Sequence, residues 1–187
     1  MKEITQQATI LDESNKIEEI QKIGRDIPKP PESLPEPKLS DNAWYIGRTR
    51  YARRDVNGQP IESAKELFWR VAYNIATAER LYGGNEKKHI ATAIKFYKLM
   101  ISRKFLPNTP TLLNTGKPKQ QLSACFVLPV PDDLEGILET ASDMAMIHKS
   151  GGGTGFSFSR LRPKNDILST SGGSTTGPIS FMQCITI

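Results

Sequence analysis

Pro28, Pro30, Pro31, Pro35 and Pro37 stand so close together that neither a helix nor a central strand can run through them. Each ring fixes φ and removes a backbone donor. The chain on either side of this cluster must therefore organise separately. Residues 1–40 are polar throughout and read as an extended arm or linker, preceded by a short helix over Glu13 to Ile23.

From Ser63 onward the pattern changes. Leu67, Phe68, Val71, Ile75, Ala78 and Tyr82 recur at steps of three and four, which places them on one face of a helix that Gly83 and Gly84 terminate. A second stretch, about Lys88 to Arg103, carries Ile90, Ala91, Ile94, Tyr97 and Ile101 at the same spacing and stops at Phe105-Leu-Pro107. Two packed helices are expected, in a helical region covering residues 41–108. The next apolar run, Leu122 to Leu128, lies between Gly116 and Pro118 on one side and Pro129 and Pro131 on the other. Its length and bounds predict a buried strand. Asp132 or Asp133 then caps a helix carrying Leu134, Ile137, Leu138, Ala141, Met144, Ala145 and His148. Strand followed by helix predicts an α/β unit over residues 109–187. Phe156 to Phe158 reads as a short strand, and a turn-rich stretch, Ser169 to Pro178, precedes a final apolar run, Ile179 to Met182.

At 187 residues, with 37% hydrophobic and 24% charged residues, the chain has the composition of a soluble globular protein with one domain plus an extension. No apolar run approaches the roughly 18 residues of a membrane span, and the N-terminus lacks the pattern of a signal peptide, so a cytoplasmic protein is expected. The net charge of +5 is densest at Arg48-Thr-Arg50-Tyr-Ala-Arg53-Arg54. No nucleic-acid module surrounds that cluster, which reads as a solvated basic segment, and nucleic acid is not an expected partner. Two cysteines, Cys125 and Cys184, are too few for a disulfide framework or a cysteine-based zinc site, and His89 and His148 do not complete a metal-ligand set.

Two features carry chemistry. The loop Gly151-Gly-Gly-Thr-Gly155 lets backbone approach a ligand closely, with N–H groups available to an anion, but no Gly-Lys-Ser/Thr follows it and G-x-G-x-x-G fails in its last position. A tight helix-to-strand connection explains the same glycines equally well. Cys125 has no Lys, Arg or His within several residues, and local chemistry alone makes it an inert core thiol.

The ordered motifs reverse that judgement. Phe105-Leu-Pro-Asn-Thr-Pro-Thr-Leu-Leu-Asn-Thr-Gly116, Leu122-Ser-Ala-Cys-Phe-Val-Leu-Pro129, Lys149-Ser-Gly-Gly-Gly-Thr-Gly-Phe-Ser-Phe-Ser-Arg-Leu-Arg-Pro163 and Thr170-Ser-Gly-Gly-Ser-Thr-Thr-Gly-Pro-Ile-Ser-Phe-Met182 resemble successive motifs of the ribonucleotide reductase large chain. The glycine-rich motif, with Arg50-Tyr-Ala-Arg-Arg-Asp55 and Leu67-Phe-Trp-Arg-Val-Ala72, looks most like the adenosylcobalamin-dependent class. The resemblance covers about Arg50 to Met182. It implies an α/β fold in which an N-terminal helical region precedes the first strands and helices of a ten-stranded α/β barrel, incomplete in this chain.

It also implies roles. Cys125 matches the first redox-active cysteine, one of two thiols oxidised to a disulfide as the ribose 2′-hydroxyl is removed. Thr109, Ala124, Gly152 and Gly153 match the substrate-binding region, and the glycine N–H groups would face the substrate's phosphates. Asp132 and Arg162 match an effector-nucleotide site, where a carboxylate binds a sugar hydroxyl and an arginine a phosphate; taken alone they are a helix cap and a surface charge. The implied function is reduction of ribonucleotides to deoxyribonucleotides for DNA synthesis by thiyl-radical chemistry. Adenosylcobalamin is the implied cofactor, its binding region lying outside this chain, and no metal is expected on these residues. Partners are a ribonucleotide, a deoxynucleotide or ATP effector, the remaining reductase, a thioredoxin-type reductant and a second copy of the chain. The radical cysteine, its carboxylate and the second thiol find no match, and Cys184 takes neither missing role. The expectation is therefore one piece of a split, truncated or intein-interrupted reductase, inactive and poorly stable alone. The rival is a non-catalytic nucleotide-binding or regulatory remnant of such an enzyme.

Overall fold

The computed structural model describes residues 2–117, 120–167 and 172–185, with the backbone alone for 2–13 and 184. Pro118, named above as a bound of the apolar run, and the motif positions Ser169, Thr170 and Ser171 lie outside these residues. The chain divides into two compact units, Met1–Leu122 and Ser123–Ile187.

The first unit is helical: α1 (Lys2–Arg25), α2 (Asp41–Ile46) running into a π-helical turn (Gly47–Tyr51), α3 (Ala64–Ala76), α4 (Ala78–Leu81), α5 (Glu86–Ile101) and α6 (Thr109–Asn114). Helix α3 starts at a capping box, in which the Ser63 hydroxyl accepts from the Glu66 N–H and the Glu66 carboxylate accepts from the Ser63 N–H. That exchange holds the Glu66 carboxyl below the usual carboxylate range. Leu67, Phe68 and Val71 are buried as the spacing predicts, together with Trp69, Ala72 and Ala76, in the core that α5 shares, whereas Ile75 is partly buried and Ala78 exposed. The expected single helix to Tyr82 does break, however. Thr77 turns its hydroxyl onto the Asn74 carbonyl, α4 restarts beyond it, and Tyr82 is 82% exposed.

Helix α5 begins at Asn85, whose side chain caps Lys88 N–H, and buries His89, Ala93, Tyr97 and Met100. The expected apolar stripe, Ile90, Ile94 and Ile101, flanks this seam and is only partly buried, while Ala91 is exposed. A histidine occupies the seam because both ring nitrogens are satisfied. Nδ1 accepts from Arg80 Nε at 3.4 Å and Nε2 lies 2.9 Å from the Tyr73 carbonyl, an arrangement that assigns the neutral Nε2–H tautomer.

The proline-rich segment is extended, as its prolines require, but it is no free linker. Three buried side-chain donors on α3 and α5 need acceptors; the end of α1 provides one carbonyl and the proline-rich segment two. Asn74 Nδ2 donates to Gly24 O at 2.6 Å, Trp69 Nε1 to Pro28 O at 2.9 Å and the Tyr97 hydroxyl to Pro35 O at 2.7 Å. Burial pushes the Tyr97 phenol up to about 12. Leu34, 5% exposed, completes the docking. The expected short helix before this segment is observed as the longer α1.

Arg70 is a charged residue buried to 2% exposure. Its Nε and Nη2 grip the Glu62 carboxylate at 2.7 and 3.0 Å. Nη1 and Nη2 also donate to Leu112 O and Tyr51 O, and Nη1 to Thr115 O at 2.9 Å. Leu112 and Thr115 bring the otherwise orphan carbonyls of the α6 C-terminus, so one guanidinium ties α3, α6 and the π-helical turn together. This is why α6 belongs with the helices, in the compact unit that ends at Leu122.

The second unit is a β-α-β unit: β1 (Cys125–Pro129), α7 (Leu134–Lys149) and β2 (Gly153–Ser157), followed by α8 (Pro178–Ile185) where the final apolar run was expected. The two strands pair in parallel, and among the described residues the sheet stops there, unclosed. Asp133, not Asp132, caps α7 by accepting from Gly136 N–H at 2.7 Å. Its core is small: Val130, Ile137, Leu161 and Ile185, with Phe156, Phe158 and Phe181 packed against them.

Replacing Arg70 by alanine removes the closest partner of the buried Glu62 carboxylate, leaving it the Arg53 N–H and a longer Arg53 contact, and should cost roughly 3–5 kcal/mol of the first unit's stability, read from urea denaturation. His89 is held below the ordinary histidine range, first by burial and also by the Arg80 charge. Its contribution to stability is therefore present above about pH 6.5 and is lost as pH falls below that value, where the unfolded chain binds the proton more readily. The urea midpoint should drop between pH 7 and pH 5, and His89→Gln should flatten that slope.

Candidate functional site

The alternation along β1 decides where Cys125 points. Cys125, Val127 and Pro129 are exposed, while Phe126 and Leu128 between them are partly buried. On β2, Gly153, Gly155 and Ser157 are exposed and Thr154 and Phe156 partly buried. Register pairs Cys125 with Gly153, Val127 with Gly155 and Pro129 with Ser157. One sheet face is therefore a cysteine, a valine and a proline beside two glycines and a serine, all open. The other rests on α7, where a Cβ at Gly152 would meet both Ile147 and Phe126. The expected buried strand is corrected here, and the thiol, which local chemistry alone would place in a core, is exposed. Only one face of β1 is covered, and the thiol stands on the other. Val127 is 84% exposed, an unusual position for an apolar side chain on a parallel strand.

The glycine loop forms the helix-to-strand connection that was one of its two readings. Ser150 ends α7, Gly151 takes φ +87°, and the N–H groups of Gly151 and Gly152 donate back to His148 O and Ile147 O at 2.9 and 3.1 Å. This is a Schellman motif, with glycine at the left-handed position. Gly153 N–H donates to Ala124 O at 2.7 Å. All three N–H groups expected to face phosphates are engaged within the unit. What the glycines leave open is space. A Cβ at Gly153 would find nothing nearer than Ala124 O at 3.6 Å, so the missing side chain keeps the surface beside Cys125 clear. A Cβ at Gly152 would lie 2.8 Å from Ile147 Cγ2 and 2.9 Å from Phe126 Cε2, so that glycine serves the packing of α7 on the sheet.

Asp132 and Arg162 are brought together from opposite ends of the unit. Arg162 Nε donates to Asp132 Oδ2 at 2.7 Å, Arg162 N–H donates to Oδ1 at 3.1 Å, and Nη2 reaches the Asp132 carbonyl at 3.3 Å. The Arg162 side chain, then its backbone N–H, holds the Asp132 carboxyl below the usual range. Neither residue is a bystander, and Asp132 is not the helix cap. Each is about one-third exposed, so the pair remains open to a ligand. Thr109 belongs to the first unit as the opening residue of α6, with its hydroxyl 3.3 Å from that of Tyr51. Ala124, immediately before β1, meets Gly153 through the bond above. Cys184 lies on α8. Reading β1 as a continuous apolar run misses Val127 as a neighbour of Cys125 on the open face; the period of two from Cys125 to Pro129 is the signal that finds it.

Among the described residues no group of three or more His, Cys, Asp or Glu could hold a metal ion, and no helix is long and apolar enough to cross a membrane.

The ribonucleotide reductase all-alpha domain matches residues 37–120, and the ribonucleotide reductase barrel domain matches residues 123–186. The chain belongs to the ribonucleotide reductase large-chain family. It is similar to the vitamin B12-dependent ribonucleoside-diphosphate reductase of Mycobacterium tuberculosis, 41% identical over 79% of this chain and 21% of the relative. It is also similar to the protein of that name from Thermoplasma acidophilum, 36% identical over 78% of this chain and 26% of the relative. The ribonucleoside-diphosphate reductase subunit alpha of Helicobacter pylori is 32% identical over 72% of this chain and 16% of the relative. The chain thus spans about a quarter or less of the length of these reductases. The junction between the two family domains coincides with the division between the units. The first unit carries the all-alpha domain, and the β-α-β unit is the start of the reductase barrel domain.

Gly152→Ala must displace Ile147 or Phe126 and should lower the stability of the barrel-domain unit by about 1–3 kcal/mol. Hydrogen exchange of the β1 and β2 amides reads that loss directly.

Proposed function

We propose that this chain supplies the all-alpha domain and the first β-α-β unit of a ribonucleotide reductase, and that Cys125 is one thiol of its redox pair. The observation that carries this reading is the exposure of Cys125 on the open sheet face, in register with Gly153. A reducing thiol must reach both the substrate sugar and, afterwards, an external dithiol. A core position would deny it both. In the proposed step, the Cys125 thiol and a second thiol lose two electrons and two protons and join as a disulfide. The ribose C2′–O bond breaks, its oxygen leaves as water and hydrogen takes its place. A thioredoxin-type dithiol then reduces the disulfide and resets the site.

The substrate reading follows from the relatives. Those named above are ribonucleoside-diphosphate reductases, so a nucleoside diphosphate is the proposed substrate. Gly153 and Ala124 lie beside Cys125 and would border the sugar, while Gly152 supports them from behind. Thr109 is proposed as a substrate contact through its hydroxyl. Asp132 and Arg162 are proposed as an effector-nucleotide site. Their partial exposure lets an incoming nucleotide exchange the internal pairing for a sugar hydroxyl at Asp132 and a phosphate at Arg162. A second copy of the chain is the further proposed partner, in the cytoplasm.

Adenosylcobalamin is the proposed cofactor because the Mycobacterium and Thermoplasma relatives are vitamin B12-dependent. It supplies radical initiation when bound. The residues present do not fit its holding: His89 is fully buried between Tyr73 and Arg80, and His148 sits against the Thr154 hydroxyl at 2.9 Å. The cofactor's site is assigned to no residue of these two units.

Combining this chain with the remainder of a cobalamin-dependent large chain, adenosylcobalamin and a dithiol reductant should restore reduction of nucleoside diphosphates. Cys125→Ser should then reduce turnover to background while leaving the fold intact. Gly153→Ala, which the fold accommodates, should lower turnover at least tenfold without lowering the unfolding midpoint. Full turnover in Cys125→Ser would sink the redox role. Nucleotide binding without any turnover in the wild-type mixture would favour a non-catalytic remnant.

A further inference from the structure

The C-terminus of α5 carries a conformation that its sequence makes costly. Arg103 sits at φ +60°, with its N–H donating to Met100 O at 3.0 Å and the Lys104 N–H donating to Leu99 O at 3.2 Å. These are the bonds of a Schellman motif, in which the left-handed residue is normally glycine and an ordinary side chain is disfavoured. The same motif at the end of α7 does use glycine, at Gly151. Strain of this kind persists where the side chain has a task.

The Arg103 side chain is laid against the proline-rich segment, with Nη2 donating to Lys38 O at 3.2 Å. It lines an open groove of about 600 Å3 together with Pro35, Glu36, Lys38, Lys98 and Ile101. That volume lies within the range of small-molecule sites. The charge balance of the groove is one-sided. Glu36 is paired with Lys65 at 3.1 Å, and among the described residues no carboxylate pairs with Lys38, Lys98 or Arg103. The helix terminus contributes only about half a negative charge against these three cations. The last carbonyls of α5, Lys98 O, Leu99 O and Met100 O, already accept from the N–H groups of Ser102, Lys104 and Arg103. An anion entering here meets three cations and few competing acceptors.

We propose that this groove is a binding site for a polyphosphate chain, free or carried on a nucleotide, distinct from the Cys125 face and from the Asp132–Arg162 pair. Arg103 offers a planar fork of donors to phosphate oxygens, Lys38 and Lys98 act as point charges, and the Pro35 and Ile101 side chains form an apolar floor.

The test is isothermal titration of the full chain with inorganic tripolyphosphate, ATP and orthophosphate, with amide shifts or hydrogen exchange mapped over residues 35–38 and 98–104. Tripolyphosphate should bind at least tenfold more tightly than orthophosphate, weaken steeply with added salt and perturb those residues. ATP binding no tighter than tripolyphosphate identifies the phosphate chain as the recognised group; tighter ATP binding adds a contact to the nucleoside. Arg103→Gly separates function from folding because its two effects have opposite signs. Glycine relieves the left-handed residue, so the melting temperature should hold or rise, while tripolyphosphate affinity should fall at least tenfold. Lys98→Ala, on the exposed side of α5, should weaken binding similarly with the melting temperature unchanged. Tripolyphosphate that fails to bind at millimolar concentration, that perturbs only the second unit, or that binds Arg103→Gly as tightly as wild type would overturn the site.

Discussion

The Arg70–Glu62 pair sets most of what the first unit can be. A guanidinium almost wholly out of water cannot be tolerated with any donor unmet, and a single carboxylate cannot meet all five. The remaining donors therefore dictate where backbone carbonyls must come: Tyr51 O from the π-helical turn, Leu112 O and Thr115 O from α6. Glu62 in turn accepts from the Arg53 N–H at 2.9 Å, and Arg53 Nη2 donates to Gly116 O at 2.9 Å. Arg53, half-buried and facing Arg70, has its pKa lowered by burial first and by that charge second. Two arginines sharing one glutamate thus fix the register of segments that are far apart in sequence. An apolar side chain at position 70 could fill the volume but would leave those carbonyls without direction. Aromatic packing of Trp69 against Tyr73 and Tyr97 supplies the bulk of the core around this polar pivot.

The second unit follows a different logic. Parallel strands are ordinarily covered on both faces, and here α7 covers one. The consequence is a sheet whose open face presents Val127 and Cys125 beside glycines. Such a face is a liability for an isolated unit, since unpaired edges and an exposed valine invite association. In a barrel the same face would turn inward, where a thiol beside two glycines keeps open space around it. Small residues opposite a cysteine make sense as a site; opposite a core side chain they would be a void.

Periodicity made the α3–α5 packing, the β-α-β order and the paired motifs legible before any coordinates, because each depends on local spacing. What stayed illegible depends on hydrogen-bond allocation. Nothing local distinguishes Ile90 from His89 as the seam of α5 until Arg80 and the Tyr73 carbonyl are seen to satisfy the imidazole. The prolines show that residues 28–37 are extended, but not that Trp69, Asn74 and Tyr97 would need carbonyls from that segment and its approach. The glycine loop was open to two readings, and the geometry supports the helix-to-strand connection for the N–H groups while leaving the cleared space at Gly153 to function. Asp132 and Arg162 could be matched by motif, yet their pairing with each other required the turn after β2 to return beside the start of α7.

The division of labour among the three glycines bears on how the exposed Cys125 thiol is held without being caged. Gly151 ends α7, Gly152 lets α7 lie close to Phe126, and Gly153 hands its N–H to Ala124, the residue before Cys125. Each step fixes backbone by internal bonds, so the strand that carries the thiol is positioned by its neighbours and not by contacts to the thiol itself. The Cys125 side chain can then change its surroundings while the backbone that presents it keeps the same hydrogen bonds. A loop whose N–H groups held phosphate would tie the position of the thiol to occupancy of the site. Here the glycine N–H groups are all engaged within the unit, and the strand holds its position by those bonds.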